Sequence, residues 1–92
     1  MAPEPDPPEL IYDSQCPHCR RIKRAVELAD LRGTFRMTPI DSDRGRALIE
    51  DTHGEFIEAP HLYTDELVYY GVEDAARGVA KEFGLPGPPL PP

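Results

Sequence analysis

The hydrophobic positions of the chain change period several times between two proline-rich ends. After the prolines of residues 3–8, "ELIYD" (9–13) is a short apolar run that predicts a buried strand. "PHCRRIKRAVELADLRG" (17–33) shifts to helical spacing. Cys19, Ile22, Val26 and Ala29 share one face, and Arg20, Lys23, Arg24 and Glu27 lie mostly off it. Pro17 suits a first helical turn, and Gly33 is placed to end the helix. "TFRMTPI" (34–40) alternates as a strand does, with Pro39 pointing to a sheet edge. Asp41 or Ser42 can cap a second helix over about 43–53, closed by Gly54. "HLYTDELVYYG" (61–71) holds two short apolar runs around Thr64, Asp65 and Glu66, which reads as a hairpin. "VEDAARGVAKEFG" (72–84) predicts a last helix with Val72, Ala75, Ala76, Val79 and Phe83 inward, although Gly78 interrupts it.

The resulting order, β-α-β-α-β-β-α, predicts an α/β fold. The first β-α-β unit makes a right-handed parallel crossover and the hairpin adds antiparallel partners, so a four-stranded mixed sheet carries helices on both faces. Ninety-two residues support one small core. The expected division is a Pro-rich flexible tail at 1–8, a folded domain at 9–84 and a second Pro-rich tail at 85–92. That last tail can be read as a P-x-x-P-like ligand or as a solubilising end.

Charge narrows the function classes. Seventeen Asp and Glu against ten Lys and Arg give a net −7, which argues against a nucleic-acid or anionic-membrane surface. No stretch approaches the roughly 20 apolar residues of a membrane helix. "MAPEPDPPE" has neither a basic n-region nor an apolar h-region, so a cytoplasmic protein is expected. One positive run, Arg20, Arg21, Lys23 and Arg24, can steer an acidic partner toward the neighbouring residues or can be an ordinary solvated helix face.

Those neighbouring residues carry the candidate chemistry. "DSQCPHC" (13–19) holds both cysteines of the chain, Cys16 and Cys19, where the first strand passes into the first helix. In a reducing compartment such a pair is more often redox-active or metal-binding than structural. Disulfide exchange needs a thiolate, and a helix N-terminus supplies free N–H donors and the positive end of the macrodipole. Cys16 falls at about the N-cap, with His18 adding a group that can be cationic and Arg20 and Arg21 close behind. Cys19, a turn further and more buried, is placed to resolve a mixed disulfide on Cys16. Pro17 and His18 between them also bear on the potential. Groups that stabilise the Cys16 thiolate favour the dithiol, which predicts a couple less reducing than a typical thioredoxin. Asp13 can accept the Cys19 proton, oppose thiolate formation by like charge, or satisfy backbone donors in the turn. Pro60, just before a predicted strand, is either an ordinary trans residue or a cis-proline that leaves the backbone of Ala59 free to pair with an incoming peptide.

C-P-H-C opening a helix, then an X-Pro before a hairpin, then Gly and a final helix, resembles the thioredoxin superfamily, its glutaredoxin-sized members above all, from about Glu9 to Phe83. Within it, "YDSQCPHC" is similar to the D-x-x-C-x-x-C signature of the DCC family of thiol-disulfide oxidoreductases. "DSDRGRALI" (41–49) is similar to that family's S-x-x-G-x-x-L segment, and "YYGVEDAARGVA" to its Gly-x-x-Ala helix entry. The resemblance implies a thioredoxin-like fold, Cys16 as nucleophile, Cys19 as resolving thiol and Pro60 as cis-proline. It implies a monomer that needs no cofactor beyond a Cys16–Cys19 disulfide and exchanges with protein disulfides or low-molecular-weight thiols, glutathione-like ones included. Ala59, Gly71 and Asp74 would line the substrate position. Two departures bear on glutathione: Asp13 stands where glutathione-binding glutaredoxins usually carry Lys, and Val72 replaces the second Gly of their G-G-x-D segment.

Two other classes compete. Cys16 and Cys19 can bind a metal or share an iron–sulfur cluster, but His53 and His61, eight residues apart, fit zinc spacing poorly and read as loop or surface residues. Tyr12, Tyr63, Tyr69 and Tyr70 with Leu62 and Leu67 can form an exposed patch of a non-enzymatic interaction module, or be half-buried as sheet residues usually are.

Overall fold

The structure, a computed structural model, describes residues 3–30 and 33–84. The elements follow the expected order: β1 (Glu9–Tyr12), α1 (Pro17–Ala29), β2 (Arg36–Pro39), α2 (Asp43–His53), β3 (His61–Tyr63), β4 (Val68–Tyr70) and α3 (Val72–Glu82). The strands form one mixed sheet in the order β2-β1-β3-β4. β1 runs parallel to β2 and antiparallel to β3, which pairs antiparallel with β4. Pro39 lies on the edge strand β2, where a missing N–H costs no ladder bond.

The sheet buries both faces. Leu10 and Leu62 point to one side and pack with Val26 of α1, Val79 of α3 and Phe35. Ile11 and Tyr63 point to the other and pack with Leu48 and Ile49 of α2 and with Ile40. The alternation within β1 and β3 therefore divides the core in two, one layer on each side of the sheet. The tyrosine and leucine set splits accordingly: Leu62 and Tyr63 are core, Tyr12 and Tyr69 are half-buried, and Leu67 and Tyr70 are exposed.

Local chemistry explains the helix boundaries. Ser42 caps α2, its side chain accepting from the Gly45 amide at 3.1 Å. Gly45 itself sits against β2: a Cβ there would collide with the Pro39 carbonyl oxygen. Gly78 in α3 is similarly required, since a Cβ would lie 2.6 Å from the Tyr69 ring and 2.7 Å from Leu62. The glycine that looked like a helix interruption is the point of closest helix–sheet packing. α1 ends at Ala29, four residues before Gly33, and Ala29 is exposed rather than inward. The cause is Asp30, whose carboxylate accepts from the amides of Thr34 at 2.8 Å and Phe35 at 2.7 Å and so holds the chain as it leaves the helix.

The segment before β1 makes contacts of its own. Arg44 of α2 donates to the Glu4 carbonyl at 2.9 Å and to both carboxylate oxygens of Glu9 at 2.8 Å. Asp6 gives its amide to Glu9 at 2.9 Å. The Pro-rich segment 85–92 lies outside the described residues. Among the described residues no helix is long and apolar enough to cross a membrane.

Candidate functional site

The parallel β1–α1–β2 unit brings β1 to its carboxyl end at Tyr12 and turns directly into α1. The turn closes on Asp13, whose carbonyl accepts from the Cys16 amide at 3.1 Å and whose carboxylate accepts from the Gln15 amide at 2.9 Å. Cys16 is the N-cap of α1, with extended backbone (φ −92°, ψ 123°), and Pro17 is the first helical residue. Cys16 is partly exposed and Cys19, one turn on, is buried at 1 % exposure; both are free thiols.

This placement drives the two thiols apart electrostatically. The Cys16 thiol is held below its ordinary pKa, first by the Cys19 amide, then by the Cys19 thiol and the His18 amide, which outweigh burial and the like charge of Asp13. No group makes a full capping hydrogen bond to its side chain, so the amides act as nearby oriented dipoles. Cys19 moves the other way, to about 11: burial is the main cause, opposed by the Asp13 amide and reinforced by the Cys16 sulfur and the Asp13 carboxylate. His18 thus acts through its backbone, while its ring is exposed to solvent. Asp13 thus satisfies backbone donors in the turn and opposes ionisation of both thiols by like charge.

The sheet register brings the second candidate segment to the same end. Ile11 pairs with His61, and His61 with Tyr70, so Pro60 and Gly71 lie at the edge where β1 turns toward Cys16. Gly71 donates its amide to the Pro60 carbonyl at 2.9 Å. Asp74 sits in the first turn of α3, 3.9 Å from Arg77. The expectation for Pro60 and Ala59 needs correction. The Ala59–Pro60 bond is trans, and among the described residues the cis bond is Pro7–Pro8. Ala59 is not free for an incoming strand: its amide donates to the Ile57 carbonyl at 2.9 Å and its carbonyl pairs with His61 Nδ1 at 2.7 Å.

His61 is likewise not a surface residue, His53 is half-buried, and neither lies in a loop. His61 is fully buried on β3 and His53 closes α2; their Nε2 atoms lie 2.9 Å apart. Only an N–H can pair with the Ala59 carbonyl, so Nδ1 of His61 carries the proton, its Nε2 accepts, and His53 donates. Burial, supported by His53, lowers the His61 pKa against the opposing Ala59 carbonyl, which keeps the pair in this arrangement. Tyr70 stacks on His61 at 5.6 Å between centroids. Sequence reasoning also passed over Glu9, a wholly buried carboxylate bonded to Thr38 and Arg44. Its one visible signal was a Glu inside an otherwise apolar strand. Among the described residues no three of His, Cys, Asp and Glu converge as metal ligands would.

No curated protein and no solved structure matches the chain. The family described as DCC1-like thiol-disulfide oxidoreductase matches over residues 10–91, which takes in the strand-to-helix turn with both cysteines and, but for Glu9, all four strands. The chain belongs to the DCC1-like thiol-disulfide oxidoreductase family.

Proposed function

We propose that the protein is a dithiol–disulfide exchange enzyme in which Cys16 attacks and Cys19 resolves. One observation supports this most: a partly exposed thiol at a helix N-cap is followed one turn later by a buried one, so only the first is both reachable and readily ionised. In the reducing direction the Cys16 thiolate attacks a substrate disulfide, forms a mixed disulfide and expels one substrate thiolate. Cys19 then gives up its proton and attacks the Cys16 sulfur. A Cys16–Cys19 disulfide forms, the second substrate thiolate leaves, and two electrons have passed to the substrate. The raised pKa of Cys19 keeps it protonated until Cys16 is engaged, which orders the two steps.

The stabilised thiolate favours the dithiol form, so the couple is less reducing than thioredoxin, with a potential above about −270 mV. Its substrates are protein disulfides or small thiols, and no cofactor enters the exchange. Free thiols of this kind suit the cytoplasm. Disulfide turnover by single-cysteine variants tests the reading. Cys16→Ser should abolish exchange, and Cys19→Ser should accumulate a mixed disulfide on Cys16 detectable by mass. Full turnover by Cys16→Ser would refute it.

A further inference from the structure

The basic run after the cysteines forms a single surface. α1 turns Cys19 and Val26 into the core, which leaves Arg20, Arg21, Arg24 and Leu28 on its solvent side, all four exposed. Lys23, at the boundary, pairs with Glu27 at 3.4 Å and lies over the Tyr12 ring at 4.9 Å. The three arginines behave differently from the other described cations. Arg36 and Arg44 serve Glu9, Arg77 pairs with Asp74, Lys81 with Glu66, and Arg46 covers the Phe56 ring. Among the described residues, Arg20, Arg21 and Arg24 have no carboxylate partner. Residues 14–26 hold four cations and no acid, so with a total of −7 the remainder of the chain carries −11. Among the described residues, the cations with neither a carboxylate nor a ring partner are therefore gathered on the helix that begins beside Cys16.

We propose that the exposed face of α1 formed by Arg20, Arg21, Arg24 and Leu28 is the docking surface for an acidic protein partner whose disulfide or dithiol is thereby delivered to Cys16. This rests on the exchange function proposed above and names its partner. Charge segregation orients an approaching acidic surface before contact, which raises the rate of productive encounter. The size of the face selects a protein over a small thiol. Arg20 to Leu28 spans roughly 12 Å of helix, so only an extended partner reaches the far end while its sulfur is at Cys16. Leu28, 69 % exposed, is an apolar contact at that far end which a small anion leaves in water.

The test uses the reduced full chain and two synthetic peptides of equal length, each closed by one disulfide and flanked by several Glu in one and several Lys in the other. Each reaction converts the protein dithiol and peptide disulfide to protein disulfide and peptide dithiol. At low salt the Glu peptide should react about tenfold faster than the Lys peptide. The ratio should fall toward one at 0.5 M salt, where exposed charges are screened. It should also fall toward one at low salt in the triple variant Arg20→Gln, Arg21→Gln, Arg24→Gln. A ratio near or below one in the native chain, or one retained by the triple variant, overturns the proposal. Oxidised glutathione is the small-anion arm: its rate should be indifferent to Arg24→Gln and Leu28→Ser, and the same dependence on Arg24 as the Glu peptide shows would assign the face to small thiols instead. A chain that reduces bis(2-hydroxyethyl) disulfide yet shows no charge preference keeps its exchange function and loses this partner. A chain that reacts with no disulfide loses both.

Discussion

Asp13 occupies the residue whose substitution separates the effects around the thiols. Its carbonyl and one carboxylate oxygen are committed to the turn, and its charge opposes ionisation of both cysteines. Asp13→Asn keeps an oxygen for the Gln15 amide and removes the charge. The Cys16 titration midpoint should therefore move down, read by pH-dependent alkylation, with the fold intact by circular dichroism. An upward move would mean that the turn, not the charge, controls the thiol. Half of this site was visible in the sequence. Two cysteines at one-turn spacing behind a strand, with a proline after the first, specify their own placement, because local geometry fixes it. The state of Ala59 does not follow from local geometry. It depends on which way the His61 ring faces, two residues on, and that ring is fixed by its burial and by His53 at the end of α2.

At the scale of elements, α2 is fastened to the sheet at two points that make different predictions. The first is steric. Ala normally stabilises a helix interior by about 1 kcal/mol over Gly, yet Gly45→Ala should destabilise, because the new methyl meets backbone of β2 rather than a side chain that can turn away. A stability gain in urea denaturation would contradict this contact. The second is electrostatic. Arg44→Ala strips the buried Glu9 carboxylate of its two-pronged partner and should cost about 3 kcal/mol. Burial pushes the Glu9 pKa up, but the hydrogen bonds of Arg44, Thr38 and the Asp6 amide outweigh it and hold the carboxyl below its ordinary value. A depressed carboxyl stabilises the fold above its unfolded pKa, about 4.3, and that stability is lost as pH falls through the folded value. The Arg44→Ala deficit should thus be full at pH 7 and shrink below about pH 4. A deficit equal at both pH values would count against the ion pair as its cause. The order and type of all seven elements were legible because each has a period, a cap or a breaker of its own. The early end of α1 was not, since Asp30 acts by reaching forward to Thr34 and Phe35.

For the whole molecule, the same buried polar groups set the response to acid. His61 has its pKa lowered by burial, so the unfolded chain takes up a proton near pH 6.5 that the folded chain refuses. Stability therefore falls as pH drops through that value, before Glu9 adds its own loss at lower pH. Thermal unfolding should show two successive declines on acidification, and His61→Gln should remove the upper one while lowering stability at pH 7. A native chain whose melting temperature is flat from pH 7 to pH 5 would contradict this. These long-range groups escape sequence reading because burial of a His or Glu is a property of the assembled sheet. The −7 total, by contrast, is legible at once, and its division into a basic α1 and an acidic remainder becomes meaningful only when α1 is seen to hold the thiols.

The account depends on Cys16 ionising well before Cys19, and site-resolved alkylation of the reduced chain across pH measures this directly. Both thiols lie in the tryptic peptide that ends at Arg20, so fragmentation of that peptide between Cys16 and Cys19 by tandem mass spectrometry reports each one separately. The account predicts a Cys16 midpoint below the ordinary thiol value of about 8.5, with Cys19 unmodified until the pH nears its own value of about 11. A shared midpoint, or Cys19 reacting first, would contradict it.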